Sequence, residues 1–221
     1  MSGPALDPRI AGGLEAQLRS LRAREAAGER RVGWKIALND PRVQRALGIT
    51  RPVIGYLASG TQVSAGTAHS LAGATGPAVE PEIAVHVGED STVAGLGAAL
   101  EVIDVDMPFD DLERVLSGNV FHRAVVLGPA QEGAASVDGL AARFRCPGEE
   151  VHEIDVAAAG MPPAEVIALV SGYLDAVGES LRAGEVIIAG SLMTAVPAAA
   201  GERFELEVER LGGVALELTA A

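Results

Sequence analysis

The sequence contains a single cysteine, Cys146, so no disulfide can form within the chain. No histidine is patterned near this cysteine, which argues against a nucleophilic role for its thiol. The N-terminal residues lack the basic start and apolar core of a signal peptide. No apolar run approaches the roughly 20 residues that span a bilayer. We therefore expect a cytoplasmic protein without a membrane partner.

Aromatic residues are also scarce, at 3% of the chain, which disfavours a stacking platform for single-stranded nucleic acid. Positive charge is limited as well, and the formal net charge is -13 at pH 7. Such a surface repels a phosphate backbone, so we expect no nucleic-acid partner. A small anionic substrate is still allowed, because one metal ion can reverse the local field.

Apolar residues make up 48% of the 221 positions, enough for one well-buried core. No linker or internal repeat divides the chain. We therefore predict a single domain, 1–221, in which residues 1–30 form an amphipathic helix on or beside the rest. Many short strands and few helices indicate an α+β fold around a rolled or sandwich-like sheet, not a doubly wound one.

Proline and glycine positions delimit the predicted helices. Four helices are expected: 8–28, 41–48, 108–116 and 163–184. Alternating or apolar runs predict the strands 32–38, 52–57, 79–88, 98–104, 124–127, 140–144, 185–189, 204–209 and 214–218. Residues 58–78, rich in small and polar residues, are predicted to form a long loop, either a binding loop or a merely mobile one.

Three carboxylates carry the chemical prediction. In the strand 79–88, Glu80 and Glu82 point to the same side, about 7 Å apart, and Pro81 between them indicates an edge or an irregular stretch. A solvated face is the ordinary explanation for such a pair. Glu101, however, lies in the middle of the apolar strand 98–104, where an isolated buried charge is costly. If the strands are neighbours, the three carboxylates suit Mg²⁺ or Mn²⁺.

Lys35 lies among apolar residues in the first predicted strand. It either extends its amine to solvent at the edge of the sheet, or is a proton-transfer group whose pKa is lowered by burial or a nearby cation.

The motifs resemble the 2-keto-4-pentenoate hydratase/4-oxalocrotonate decarboxylase group of the fumarylacetoacetate hydrolase superfamily. Gly-Trp-Lys-Ile-Ala-Leu is similar to the family's lysine strand, Glu-Pro-Glu-Ile-Ala to its metal motif, and Leu-Glu-Val-Ile-Asp to its next strand. The matching segments follow in the family's order: 33–38, 41–49, 55–57, 80–84, 100–104, 119, 126–128 and 181–191.

This resemblance implies a mixed β-roll of the family's C-terminal-domain type, a homo-oligomer, and Mg²⁺ or Mn²⁺ held by Glu80, Glu82 and Glu101. The implied substrates are small 2-oxo or 2-hydroxydienoic acids that chelate the metal. Lys35 matches the family's proton-transfer lysine. The resemblance therefore implies a metal-dependent lyase that acts through a metal-bound enolate.

Several positions depart from the family pattern. Ser59 occupies the slot of a water-positioning aspartate, and His122 stands where the family has a serine pair after Asn119. His122 is either a replacement acid–base group or an ordinary polar residue. Near the end of the chain, Ser191 matches the family's Gly-Ser-x-Thr motif, and Thr194 lies one position after the place of its threonine. We expect four residues to contact substrate: Ser59, Asn119, Ser191 and Thr194.

Three functions are consistent with these residues. The first is hydration of a 2-hydroxy-2,4-dienoate to a 4-hydroxy-2-oxo acid. The second is decarboxylation, hydrolysis or tautomerisation of a related 2-oxo acid. The third is a catalytically silent scaffold subunit. The metal carboxylates and Lys35 favour the first two, whereas loss of the aspartate favours the last two.

Overall fold

A computed structural model describes residues 6–64 and 66–220 of the chain. Within these ranges the protein combines two mixed β-sheets with short and medium helices, which confirms the predicted α+β class. The helices are α1 Pro8–Ala26, α2 Pro41–Leu47, α3 Leu112–Ser117, α4 Val156–Ala159 and α5 Pro163–Ala176.

The strands alternate with these helices along the chain. They are β1 Arg31–Ala37, β2 Val53–Ala58, β3 Gln62–Val63, β4 Ala68–Ser70, β5 Pro77–Val87, β6 Val93–Asp104, β7 His122–Leu127, β8 Gln131–Glu132, β9 Ala141–Arg145, β10 Val151–Asp155, β11 Val186–Ile188, β12 Val196–Pro197, β13 Arg203–Val208 and β14 Gly212–Thr219. The longest two, β5 and β6, pair antiparallel at the centre of the larger sheet.

The nine-stranded sheet is rolled. Its order is β2-β1-β11-β5-β6-β7-β3, with β12 and β8 pairing at the sides. The two ends of this order, β2 and β3, are joined by only the three residues Ser59–Thr61, so the sheet has to curl until its edges approach. A buried apolar cluster fills the inner face: Leu57, Ala84, Ala99, Val125, Val186 and Ile188.

The outer face of the roll carries the main core. The second sheet, ordered β10-β9-β13-β14-β4, packs against it mainly through contacts of β13 and β14 with β6. Helix α1 contacts α3 and β2, while α5 contacts β1, β5 and β6. Trp34 is fully buried on this outer face, which leaves its neighbour Lys35 pointing inward.

Helix capping confirms two predicted starts and corrects one end. Asp7 and Asp40 accept backbone hydrogen bonds at the starts of α1 and α2. Helix α5 ends at Ala176 rather than near Gly184. Gly178 adopts a φ of 72°, and the amide of Glu179 donates to the Leu174 carbonyl at 2.9 Å, an arrangement that closes the helix.

Three further predictions of elements were wrong in detail. The predicted loop 58–78 contains β3 and β4, because each finds a distant parallel partner, β7 and β14 respectively. Helix α3 begins after Asp111, which caps it, so residues 108–111 are not helical. The polar edge strand β10 was not predicted, since most of its side chains face solvent.

One segment is more apolar than the sequence-based prediction allowed. The stretch Val156–Ala176 is long and apolar enough to cross a membrane by length and composition alone. In the fold it is two helices, α4 and α5, separated by a non-helical break at residues 160–162. One face of α5 packs on the rolled sheet through Val166, Val170 and Tyr173, all three of which are buried.

Candidate active site

The register between β5 and β6 builds an acidic cluster. Glu80 lies directly opposite Glu101, and Glu82 follows two residues later on the same face. One carboxylate oxygen from each of the three lies within 4.8 Å of the others. Glu82 and Glu101 are fully buried, whereas Glu80 is partly accessible. The structure thus brings together the three predicted ligands; their role in binding metal stays a prediction.

Pro81 sits in an interrupted part of the sheet rather than at an edge. Beside β5, β11 pairs with residues 84–86 and β12 with residues 78–79, which leaves a gap opposite Pro81 and Glu82. The chain crosses this gap at Gly190, whose amide donates to Glu82 Oε2 at 2.7 Å. Gly190 has a φ of 91°, a conformation that L side chains rarely adopt. The predicted irregular stretch therefore orients one carboxylate.

The cluster fits a divalent cation on two observations. Glu82 Oε1 and Glu101 Oε2 are buried and have no hydrogen-bond partner among the described residues. Burial, and then the charge of Glu101, raises the pKa of Glu80 to about 7 and the pKa of Glu82 well above its usual range. Buried carboxylates without partners are costly, and a cation would satisfy both atoms. An all-oxygen set favours hard cations.

Lys35 is the only lysine of the chain, whose other sixteen basic residues are arginines. Its Nζ donates to Glu101 Oε1 at 2.5 Å and to the Val120 carbonyl at 3.1 Å, with its side chain 1% exposed. Since β1 lies between β2 and β11, the alternative of an amine reaching solvent at an edge is wrong. Burial alone would raise the pKa of Glu101, but Lys35 and His122 lower it overall.

His122 lies behind Glu101 rather than in front of it. Its Nδ1 is 2.7 Å from Glu101 Oε1 and its Nε2 is 2.9 Å from Thr61 Oγ1. Burial lowers the pKa of His122 in spite of the nearby carboxylate, so the ring is neutral at pH 7. Both ring nitrogens are occupied and the ring does not line the cavity described below. These contacts favour a positioning role for His122, and a catalytic role stays a prediction.

Asn119 is likewise used by the fold. Its Oδ1 accepts from the Tyr56 amide at 2.8 Å and its Nδ2 donates to the Tyr56 carbonyl at 3.0 Å. Asn119, Val120 and Phe121 all have positive φ, an unusual run for residues other than glycine. The asparagine thus anchors a strained turn that presents the Val120 carbonyl to Lys35. Its contact with substrate stays a prediction.

Of the remaining residues predicted to contact substrate, one lines the cavity described below and two do not. Ser191 lines the cavity beside Glu80, and its hydroxyl donates to the Met193 carbonyl at 2.6 Å. Ser59 faces away, because its hydroxyl accepts from the Arg30 amide at 2.9 Å. Thr194 is exposed and does not line the cavity, since the chain has already turned outward there. The structure therefore does not bring Ser59 and Thr194 to this cavity, and their contact with substrate stays a prediction.

A cavity of about 70 Å³ opens onto the acidic cluster. Lys35, Glu80, Asn39 and Ser191 form its polar end, and apolar side chains form the rest. Sequence reasoning missed this apolar wall, although Phe109 and Phe121 are two of only four phenylalanines in the chain. It also missed Thr61, which lies in the predicted loop and reaches His122 only because the sheet is rolled.

Larger concavities lie elsewhere and lack comparable chemistry. One of about 570 Å³ is a groove on the five-stranded sheet that includes Arg143, Glu153 and Arg210, and its lining contains no buried acid or base. Cys146 borders another surface groove. Burial raises the pKa of this thiol to about 11, which agrees with the prediction that it is not a nucleophile.

Fold and site define a class: a rolled-sheet α+β protein with a buried carboxylate cluster beside a lysine-lined cavity. Residues 50–219 match the family model for the fumarylacetoacetate hydrolase C-terminal domain. The chain is 33% identical over 220 residues to a 2-hydroxyhexa-2,4-dienoate hydratase from Comamonas testosteroni, covering 91% of this chain and 83% of that protein. The chain therefore belongs to the fumarylacetoacetate hydrolase superfamily, in its 2-keto-4-pentenoate hydratase/4-oxalocrotonate decarboxylase group.

Other relatives agree. The chain is 29% identical over 215 residues to a 2-keto-4-pentenoate hydratase from Burkholderia vietnamiensis, covering 89% of this chain and 81% of that one. Among solved structures, the 4-oxalocrotonate decarboxylase from Pseudomonas putida G7, complexed with magnesium and adipate, has a TM-score of 0.83 at 24% identity. That superposition covers 95% of this chain and 86% of the other, and it confirms the predicted fold type.

Proposed function

We propose that the protein is a divalent-metal-dependent hydro-lyase that adds water to a small 2-hydroxy-2,4-dienoate and forms a 4-hydroxy-2-oxo acid. The observation that carries the proposal is the meeting of Glu80, Glu82 and Glu101 around one point next to the buried amine of Lys35. The hydratases among the relatives support the same reaction. A silent scaffold has no need of two buried acids with unpartnered oxygens.

The three carboxylates would hold the cation. When bound, a divalent cation supplies Lewis-acid polarisation of the substrate's carboxylate and 2-oxygen. Ser191 and Asn39 border the polar end of the cavity and limit how the acid group can be oriented there. The small volume also restricts the amount of water beside the substrate.

Lys35 is the proton-transfer group of this proposal. Its amine borders the cavity and is held from behind by Glu101 and the Val120 carbonyl, which limits the directions in which its protons point. The amine would move a proton between the 2-oxygen and the carbon chain. His122 fixes the orientation of Glu101 and therefore the position of Lys35.

Three finer statements also belong to this proposal. The cation is Mg²⁺ or Mn²⁺, since the ligand set contains only oxygen atoms. The protein is cytoplasmic, and it is a homo-oligomer, the second of which is implied by the family resemblance. Sedimentation analysis of the purified chain tests the assembly, and a monomer at micromolar concentration would contradict it.

Glu82→Gln tests the proposed function. We expect Mn²⁺ binding to be lost and turnover of 2-hydroxypenta-2,4-dienoate to fall by more than about 100-fold, since Lewis-acid polarisation is worth several kcal/mol. Turnover is followed by loss of the conjugated ultraviolet absorbance, and binding by calorimetry.

Glu132→Gln is the matched control, because it makes the same change at an exposed position on β8 of the same sheet. We expect its metal binding and turnover to equal those of the unaltered protein. A Glu82→Gln protein that still turns over at the original rate would overturn the assignment of the site. Circular dichroism establishes that both variants are folded.

A further inference from the structure

The part of the cavity remote from the acidic cluster is apolar. Beyond Lys35, Glu80, Asn39 and Ser191, its lining residues are aliphatic or aromatic and come from four separate segments of the chain. They include Leu38, Ile103, Phe109, Val120 and Phe121. A ligand whose acid group lies at the carboxylates would therefore extend its tail against hydrocarbon.

Charge in the cavity is already paired. Among the described residues, Lys35 is the only lining residue with a positive charge, and its Nζ lies 2.5 Å from Glu101 Oε1. Glu80, the other ionisable lining residue, is an acid. A second carboxylate on the tail of a ligand would thus be buried without a cation or a cluster of donors, which is strongly unfavourable.

Phe109 forms the outer end of the apolar wall. It lies in the irregular segment between β6 and α3, and its ring packs on Phe121 at a centroid distance of 4.8 Å and an interplanar angle of 56°. Phe109 nevertheless remains 41% exposed, although large apolar side chains are normally buried. Phe109 also lines the cavity, so an alkyl chain bound there would cover part of its ring.

We propose that the tail of the substrate is a short, uncharged alkyl chain bound against Phe109 and Phe121, and that this wall excludes substrates ending in a second carboxylate. The inference rests on the proposed function and narrows it to 2-hydroxydienoates with a hydrocarbon end. Phe109 is the specificity-determining residue, because it is the one large apolar lining residue that remains exposed.

Three non-reacting 2-oxo acids test the inference as Mn²⁺-dependent ligands: pyruvate, 2-oxohexanoate and 2-oxoadipate. The last two have the same number of carbons and differ only in whether the end carries a carboxylate. Dissociation constants are measured by calorimetry with the Mn²⁺-loaded protein. We expect 2-oxohexanoate to bind at least about tenfold more tightly than 2-oxoadipate.

Two substitutions of Phe109 locate the effect. Phe109→Ala should weaken binding of 2-oxohexanoate about tenfold and leave pyruvate, which has almost no tail, unchanged. Phe109→Arg should tighten binding of 2-oxoadipate by supplying the missing cation. Val151→Ala is the matched control, because Val151 is also 41% exposed but lies on β10, far from the cavity lining.

The outcomes separate the two levels of the proposal. If 2-oxoadipate binds as tightly as 2-oxohexanoate to the unaltered protein, the apolar-tail inference is wrong while the proposed function stands. If none of the three acids binds in the presence of Mn²⁺, the proposed function itself fails. Equal losses in Phe109→Ala for pyruvate and 2-oxohexanoate would also refute the inference, since they would show a general disturbance of the site.

Discussion

Single residues in the site differ in how their charge is compensated. Glu101 has two partners, Lys35 and His122, and stays ionised although it is fully buried. Glu80 and Glu82 have no cation of their own, and burial raises the pKa of each. The cluster therefore holds one fixed negative charge, on Glu101. Protons and a cation compete for the other two carboxylates, Glu80 and Glu82.

This competition predicts that affinity for Mn²⁺ rises with pH through neutrality. The pKa of Glu80 is raised to about 7, so below that pH an incoming cation has to displace a proton, and above it the ligand is already ionised. For each proton that has to be displaced, the apparent affinity for Mn²⁺ falls about tenfold for every pH unit below the pKa of that ligand. Calorimetric titrations below and above pH 7 measure the slope, and an affinity independent of pH would contradict the prediction.

The directions of side chains on regular strands could be predicted from the sequence, whereas the contacts of side chains at turns could not. Glu80, Glu82, Glu101 and Lys35 follow from strand alternation and from charges within apolar runs. Ser59 lies in a short turn, where the direction of a side chain depends on local dihedral angles that composition does not specify. The use of Asn119 by the Tyr56 backbone depends on a contact 63 positions apart in sequence.

At the scale of elements, the turn before β7 connects the lysine strand with the acidic strands. Asn119 joins it to β2, the Val120 carbonyl accepts from Lys35, and His122 bonds to Glu101. Three consecutive positive φ values hold these groups in position. Such a turn is strained and persists because its neighbours stabilise it.

We expect Asn119→Ala to destabilise the protein by about 2 kcal/mol, because it removes two buried hydrogen bonds and places alanine in a left-handed conformation. Denaturant unfolding followed by circular dichroism measures the change. Asn119→Asp keeps the acceptor for the Tyr56 amide and should lose less stability. Equal stability of Asn119→Ala and the unaltered protein would show that the turn does not depend on this anchor.

Elements were predictable where local signals were strong. Caps at Asp7 and Asp40 defined two helices, and the apolar run of β6 defined a strand. The short strands β3 and β4 were not predicted, because two or three residues are too few to show a periodic pattern. The end of α5 escaped because Gly178 and Gly184 offer equivalent stop signals in sequence.

At the scale of the whole molecule, the α+β class followed from many short strands, but the strand order did not. The lysine strand β1 pairs in parallel with β11, about 150 residues later, where Lys35 lies opposite Ile188. Such pairings depend on the complete set of packing contacts rather than on local pattern. The strand pattern left a roll and a sandwich open, and the family resemblance favoured the roll.

We predict that the chain unfolds as one domain. Trp34, the only tryptophan, is fully buried between the rolled sheet and the elements around it, so its fluorescence reports the larger sheet. Circular dichroism reports both sheets. In urea the two signals should change with the same midpoint. An earlier transition in circular dichroism alone would indicate that the five-stranded sheet unfolds separately.

The three-residue link between β2 and β3 has a consequence for how the protein fails. Thr61 in that link is bonded to His122, which in turn is bonded to Glu101. If β2 and β3 move apart, His122 therefore loses its bond to Thr61 and no longer holds Glu101 in place. The closure of the rolled sheet and the geometry of the acidic cluster therefore depend on the same two hydrogen bonds, so that a change which disturbs one also disturbs the other.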